Sequence, residues 1–234
     1  MELVVKEVIH ECDVIIEVID ARDVAGTRSR KLESMVRKEG KQLIFVINKV
    51  DLKRPVGIPP GKVVLMSAKK RFGTKNLRAT IMGCYPERDQ VRVGVVGYAN
   101  TGKSSVIVSL GGVAHISSKP GFTRGKHWIR ISKRVMLMDT PGLIPSDEGE
   151  ASLAIKSAYD VTKLKDPVGA ALQVIEKIGS ERLAATYGVE QVADSTEQLE
   201  ALAKKWNMLL KGAQLDLDRA SKKIIKDWQV GKLR

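Results

Sequence analysis

Nine consecutive residues, Gly97-Tyr98-Ala99-Asn100-Thr101-Gly102-Lys103-Ser104-Ser105, combine the side chains and backbone freedom that hold a polyphosphate. In the pattern G-x-x-x-x-G-K-[ST], glycines let the loop curl so that successive amides, here including those of Gly97, Thr101, Gly102 and Ser105, face an anion. Lys103 adds a point charge at the β- and γ-phosphates, and the Ser104 hydroxyl is a ready Mg²⁺ ligand. Three other runs offer complementary chemistry. In Asn48-Lys49-Val50-Asp51 the Asp51 carboxylate can accept from both the ring N–H and the exocyclic amine of guanine, a pairing adenine lacks. Asn48 would tie that run to the phosphate loop, and the Lys49 stem would lie over the base. Ser67-Ala68-Lys69 would set a backbone amide on the guanine O6. In Asp139-Thr140-Pro141-Gly142, Asp139 can hold Mg²⁺ through water and the Gly142 amide can meet a γ-phosphate. The long polar stretch Gly111 to Lys126 contains Thr123, a further Mg²⁺ ligand that would order around a γ-phosphate.

Such groups need elements that converge on one place. The apolar runs Asp13 to Asp20, Gln42 to Ile47, Val63 to Met66 and Val91 to Val96 read as buried strands, and each runs directly into one of the polar motifs or into Asp20-Ala21-Arg22. Helical spacing is expected over Met1 to Glu11, Gly26 to Glu39 with Gly40 as C-cap, Thr74 to Met82 and Ser104 to Leu110. Trp128 to Ser132 and Val135 to Met138 read as a hairpin. Strands alternating with helices predict a largely parallel α/β sheet, whose ligands sit at the carboxyl ends of the strands. From Ala151 onward the pattern is helical. Asp166-Pro167 opens one helix, Gly188 closes another, and Ser195-x-x-Gln198 has the form of a capping box. The last helix sets Ala220, Ile224, Ile225 and Trp228 on one face and Lys222, Lys223 and Lys226 on the other.

Composition narrows the function classes. With 234 residues and 43% hydrophobic content the chain can bury one substantial core and a smaller one. No apolar run approaches the length of a membrane span, and neither end reads as a signal peptide or lipidation site, so a soluble cytoplasmic protein is expected. Cys12 and Cys84 lack metal spacing and read as packing residues. The net charge of +13 is uneven: between Lys62 and Arg134 fifteen Lys/Arg face only Glu87 and Asp89. A basic tract around an anion-binding loop implies a polyanionic partner larger than one nucleotide. Aromatic residues are only 4%, so a base-stacking platform for single strands is not expected.

Asn48 to Asp51, Ser67 to Lys69, Gly97 to Ser104, Thr123 and Asp139 to Gly142 resemble the guanine-nucleotide motifs of small GTPases, with the base-reading motifs placed ahead of the phosphate-binding ones. That order is similar to the circularly permuted GTPase family whose members act in large ribosomal subunit assembly. The run Asp20-Ala21-Arg22-Asp23 followed by Gly26-Thr27-Arg28-Ser29 resembles the family's DAR segment, and the likeness continues through Leu215 to Ala220 and Asp227 to Leu233. The resemblance implies a circularly permuted Ras-like P-loop domain over 1–148 and an all-α, RNA-binding domain over 149–234. It implies Mg²⁺-dependent hydrolysis of GTP and nucleotide-gated binding to rRNA or a subunit precursor by a monomer; a protein-binding switch indifferent to RNA is the alternative. Lys103, Thr123 and Gly142 would position phosphate and water. Asn100 stands where related enzymes coordinate K⁺, although Ala99 and Thr101 replace the usual flanking Pro and Val. Leu143 replaces the water-orienting Gln of Ras-like enzymes, which implies slow intrinsic turnover. Leu143 to Glu150 would link the second switch to the C-terminal domain.

Overall fold

Val14–Asp20 (β1) is buried along its whole length, as a strand covered on both faces must be. In the computed structural model, which describes residues 2–111, 127–140, 149–157 and 159–233, it is an inner strand of a six-stranded sheet. The spatial order is Lys62–Leu65 (β3), Gln42–Asn48 (β2), β1, Val91–Val96 (β4), Val135–Asp139 (β6) and His127–Arg130 (β5). All pairings are parallel except the β5–β6 hairpin. Register places Asp20 beside Asn48 and Glu17 beside Val96, so β1, β2 and β4 deliver their carboxyl ends to one edge.

Side chains alternate between two apolar layers, as the two-residue repeat of a strand requires. Ile16, Val18, Val93, Val95 and Leu137 pack with Leu77 and Ile81 of Thr74–Cys84 (α3) and with Val106 and Ile107 of Lys103–Ser109 (α4). On the opposite face Ile15, Val96 and Met138 meet Val8 and Ile9 of Glu2–Glu11 (α1) and Leu32 and Val36 of Arg30–Lys38 (α2).

The helix expected from Gly26 begins at Arg30 instead. Polar side chains take the backbone before it can turn helical. Asp23 Oδ1 accepts from the Gly26 amide (3.1 Å), Thr27 Oγ1 accepts from Asp20 N (3.0 Å), and Ser29 Oγ caps Leu32 N (3.3 Å).

Glu17 breaks the apolar character of β1. Its Oε1 accepts from the Ser29 amide (2.6 Å), whereas Oε2 meets no donor among the described residues. Burial, opposed by that amide and assisted by Glu33, pushes its carboxyl up to about 8. A carboxyl whose folded-state pKa is raised adds stability that is present below its unfolded value and lost as pH rises toward 8. Glu17→Gln is therefore expected to raise the thermal midpoint by roughly 5 °C or more at pH 8, with the difference vanishing near pH 4.5, in thermal unfolding followed by circular dichroism.

The chain divides into two compact units, Met1–Pro145 and Ser146–Arg234. The second contains Glu150–Ile155 (α5), a 3-10 turn at Val161–Lys163, Pro167–Ile178 (α6), Ser180–Tyr187 (α7), Ser195–Lys205 (α8) and Leu217–Gln229 (α9). Val174 and Ile175 of α6 pack with Leu199 and Leu202 of α8 and with Ala220, Ile224, Ile225 and Trp228 of α9. Asp166 caps α6 with Pro167 in its first turn. The cap of α8 lies one residue earlier than the sequence pattern implied. Asp194 accepts from Thr196 N and Glu197 N, and Gln198 turns away to bond Val192 N (2.8 Å) and Glu190 O (3.3 Å). The lysine face of α9 is also less uniform than expected. Lys226 is exposed, but Lys223 pairs with Asp227 (2.9 Å) and lies 4.8 Å from the Trp206 ring centre.

Candidate nucleotide site

The loop between β4 and α4 depends on two glycines. Gly97 has φ +143°, and a Cβ there would lie 2.4 Å from Val18 O; Gly102 has φ +100°, and a Cβ there would lie 2.3 Å from Asn48 Nδ2. Any other residue would either force the loop away from β1 or expel Asn48. Thr101 Oγ1 donates to Tyr98 O (3.0 Å), closing the curl from within. Lys103 is buried, and its ammonium donates to Gly97 O (3.2 Å) and Tyr98 O (3.0 Å). Burial pulls it down to about 8 against the raising influence of Asp139. An ammonium this poorly solvated gains most from a ligand bringing negative charge.

Asn48, at the end of β2, joins three segments. Its Nδ2 donates to Thr101 O (2.9 Å) and its Oδ1 accepts from the Ala68 amide (3.0 Å), so one buried side chain holds the phosphate loop and the Ser67-Ala68-Lys69 turn at fixed separation. The turn is itself secured by Lys70 N on Ser67 Oγ (3.3 Å), with Ser67 buried and Lys69 exposed. Val50 N on Met66 O (3.2 Å) and Leu52 N on Lys49 O (2.9 Å) fold the loop carrying the half-buried Asp51.

Lys49 adopts φ +67°, and its ammonium donates to Asn100 O (2.6 Å) and to Asp20 Oδ2 (2.7 Å). Asp20 is also gripped by Arg22, through Nε (3.0 Å), NH2 (2.6 Å) and the Arg22 amide (3.0 Å). Burial alone would raise the Asp20 carboxyl, but Lys49 and Arg22 outweigh it and hold the group well below the usual carboxylate range. Asp20 and Arg22 belong to none of the nucleotide motifs in the sequence. Their only signal was the resemblance of Asp20 to Asp23 to the DAR segment, and their function here is to anchor Lys49 beside the phosphate loop.

On the other side of the loop, Ser104 Oγ donates to Asp139 Oδ2 (3.2 Å), and Thr140 Oγ1 donates to Val95 O (2.6 Å), fastening the end of β6 to β4. A hydroxyl and a buried carboxylate at hydrogen-bond distance form a hard-oxygen donor pair that fits Mg²⁺. Among the described residues there is no cluster of three or more His, Cys, Asp or Glu side chains able to hold a metal. A divalent ion at this pair would complete its shell with phosphate and water oxygens. Ser105 is half-buried on α4, and Asn100 has φ +60°. Thr123, Gly142 and Leu143 lie outside the described residues. Among those that are described, no helix is long and apolar enough to cross a membrane.

Residues 92–211 match the model of a protein family described as 50S ribosome-binding GTPase. An uncharacterized GTP-binding protein of Methanocaldococcus jannaschii is 39% identical over 98% of this chain and 65% of its own length. Nucleolar GTP-binding protein 2 of Saccharomyces cerevisiae is 33% identical over 97% of this chain and 51% of its own. The chain thus spans less than two thirds of either relative. In fold it is similar to GNP-bound YlqF from T. maritima, with a TM-score of 0.64 at 23% identity, covering 99% of this chain and 94% of that one. The GDP-bound form of YlqF gives the same TM-score, at 24% identity over 97% of this chain and 94% of that one. With β4, the loop after it and β6 inside the matched region and β1, β2 and β3 ahead of it in the chain, the chain belongs to the 50S ribosome-binding GTPase family in circularly permuted order.

Proposed function

We propose that the chain binds GTP and GDP, hydrolyses GTP and uses the difference between them to gate docking on rRNA in a precursor of the large ribosomal subunit. The observation that carries the reading is the Asn48 bridge, 2.9 Å to the phosphate loop and 3.0 Å to the Ala68 amide. It joins a guanine-reading strand end to a triphosphate cradle, and neither alone would give nucleotide selectivity. Asp51 is the base reader. Since the Ala68 amide already serves Asn48, guanine O6 would share it or take the amide of Lys69. Lys103 carries the β- and γ-phosphates, aided by the amides of Gly97 to Ser105, with Thr123 and Gly142 closing on the γ-phosphate.

Ser104 and Thr123 would hold Mg²⁺ directly and Asp139 through water, supplying charge neutralisation between the phosphates. Asn100 is assigned to K⁺. With Leu143 in place of a water-orienting Gln, intrinsic turnover is slow. The unit 149–234 serves as the RNA-facing helical domain, the protein acts as a monomer, and its place of action is where the subunit is assembled, the cytoplasm in a cell without a nucleus.

Sedimentation of a lysate through sucrose tests the gating. The chain should travel with large-subunit particles in the presence of a non-hydrolysable GTP analogue and remain at the top with GDP. The same profile with both nucleotides would overturn the reading. Retention of the partner after ribonuclease treatment would favour the protein-binding switch.

A further inference from the structure

No Asp or Glu occurs between Asp89 and Asp139, a stretch that holds eight Lys and Arg residues. Sheet register arranges some of them. Arg92 of β4 lies opposite Met136 of β6, and Met136 lies opposite Arg130 of β5. Directly paired residues share a face, so Arg92, Met136 and Arg130 form a row across three strands. Trp128, two residues before Arg130, projects on that same face, 41% exposed, with the Arg92 guanidinium 5.9 Å from its ring centre. Arg92, Arg130 and Lys133 are exposed. β5 is the last strand of the sheet order, so this row sits at a sheet edge.

An indole with one guanidinium near its ring and a second on the same strand face, where the neighbouring carboxylate Asp13 is already paired with Arg88, matches unpaired RNA more closely than it matches a protein or a duplex. Every nucleobase has a π-face that stacks on Trp or on Arg, and the adjoining cations take the phosphates on either side. A duplex would hide its bases from the ring. From this juxtaposition of Trp128, Arg92 and Arg130 we infer a binding site for single-stranded RNA, with one base stacked on Trp128 and the flanking phosphates on Arg92, Arg130 and Lys133. It is a single stacking position, compatible with a chain poor in aromatics. The inference rests on the RNA-docking reading above and places part of that docking on the nucleotide-binding unit. The strands also suit communication with the nucleotide. β4 runs straight into Gly97, and Trp128 pairs with Met138, the neighbour of Asp139, on the opposite face of the sheet from Asp139.

Fluorescence anisotropy with a labelled unstructured 12-nucleotide RNA, and with a hairpin duplex as control, tests the site in the full chain. Trp128→Ala should weaken single-strand binding about tenfold. Trp128→Phe should recover it to within about threefold, and duplex binding should not change. The double variant Arg92→Gln/Arg130→Gln should lower the slope of log affinity against log salt by roughly 1.4. GTP-analogue affinity, measured by calorimetry on the same samples, should equal that of the wild type in all three. Unchanged single-strand binding by Trp128→Ala, an equal loss for single strand and duplex, or no single-strand binding by the wild type would each overturn the site. Loss of it with nucleotide-gated sedimentation intact would leave the proposed GTPase function standing; failure of gating with Trp128-dependent RNA binding intact would do the reverse.

Discussion

Asp51→Asn is expected to turn the pocket from guanine toward xanthine nucleotides. In the proposed site the carboxylate of Asp51 would accept from two donors on guanine, and an amide offers one acceptor and one donor in their place. Facing guanine, the amide N–H meets the exocyclic amine, donor against donor. Facing xanthine, which carries a carbonyl at that position, it finds an acceptor. Hydrogen bonds to charged groups are worth about 1.5–3 kcal/mol each, so replacing one by a donor–donor contact and the other by a weaker neutral bond predicts a fall in GTP affinity of roughly 10² to 10⁴-fold. The fold should not suffer, because Asp51 is half-buried and the loop that carries it is held by the backbone bonds Val50 N to Met66 O and Leu52 N to Lys49 O. Calorimetric titration with GTP and XTP checks this. A variant that loses GTP without gaining XTP would remove Asp51 from base recognition.

Lys103→Ala is expected to separate ligand binding from folding. The ammonium is buried and pushed down to about 8 by that burial, so without nucleotide it is a costly group, and deleting it should change the thermal midpoint of the free protein little at pH 7. With nucleotide the same group would, in the proposed site, face the β- and γ-phosphates, and its loss should reduce GTP affinity by about 10²-fold or more, as for a desolvated, charge-assisted contact. Thermal unfolding at saturating and zero GTP measures both effects. The wild type gains stability from bound ligand by mass action, and the variant should show almost none of that gain. Asn48→Ala would behave differently, because it strands Thr101 O and the Ala68 amide and so weakens the unit with or without ligand. If Lys103→Ala kept its ligand-induced shift, the phosphate role of Lys103 would be lost.

The strand ends were legible because parallel strands buried on both faces are written as largely apolar runs, as Val14 to Ile19 and Val91 to Val96 show despite Glu17 and Arg92 within them. The network around Asp20 was not. It forms only after β1 and β2 pair in register, bringing Lys49 to a carboxylate 29 residues away, and no local pattern encodes that meeting. Helix starts depart from the sequence pattern where short polar side chains compete for the backbone. Thr27 and Ser29 delayed α2, and Asp194 displaced Ser195 as the cap of α8. Lys223 shows the limit of counting charges on a helical wheel. Its place among Asp227, Trp206 and Tyr187 is a property of the packed unit, not of the α9 sequence.

The pairing of β1 with β4 also dictates when the site can come into being during synthesis. Asn48 and Lys49 leave the ribosomal tunnel well before their partners Thr101 and Asn100, and Asp139 follows later still. A nascent chain therefore presents half a pocket for most of its translation, with Asp20 and Arg22 already able to hold Lys49 in readiness. Capture of a nucleotide becomes the closing act in the maturation of this unit, and a chain truncated before β6 should emerge unable to retain one.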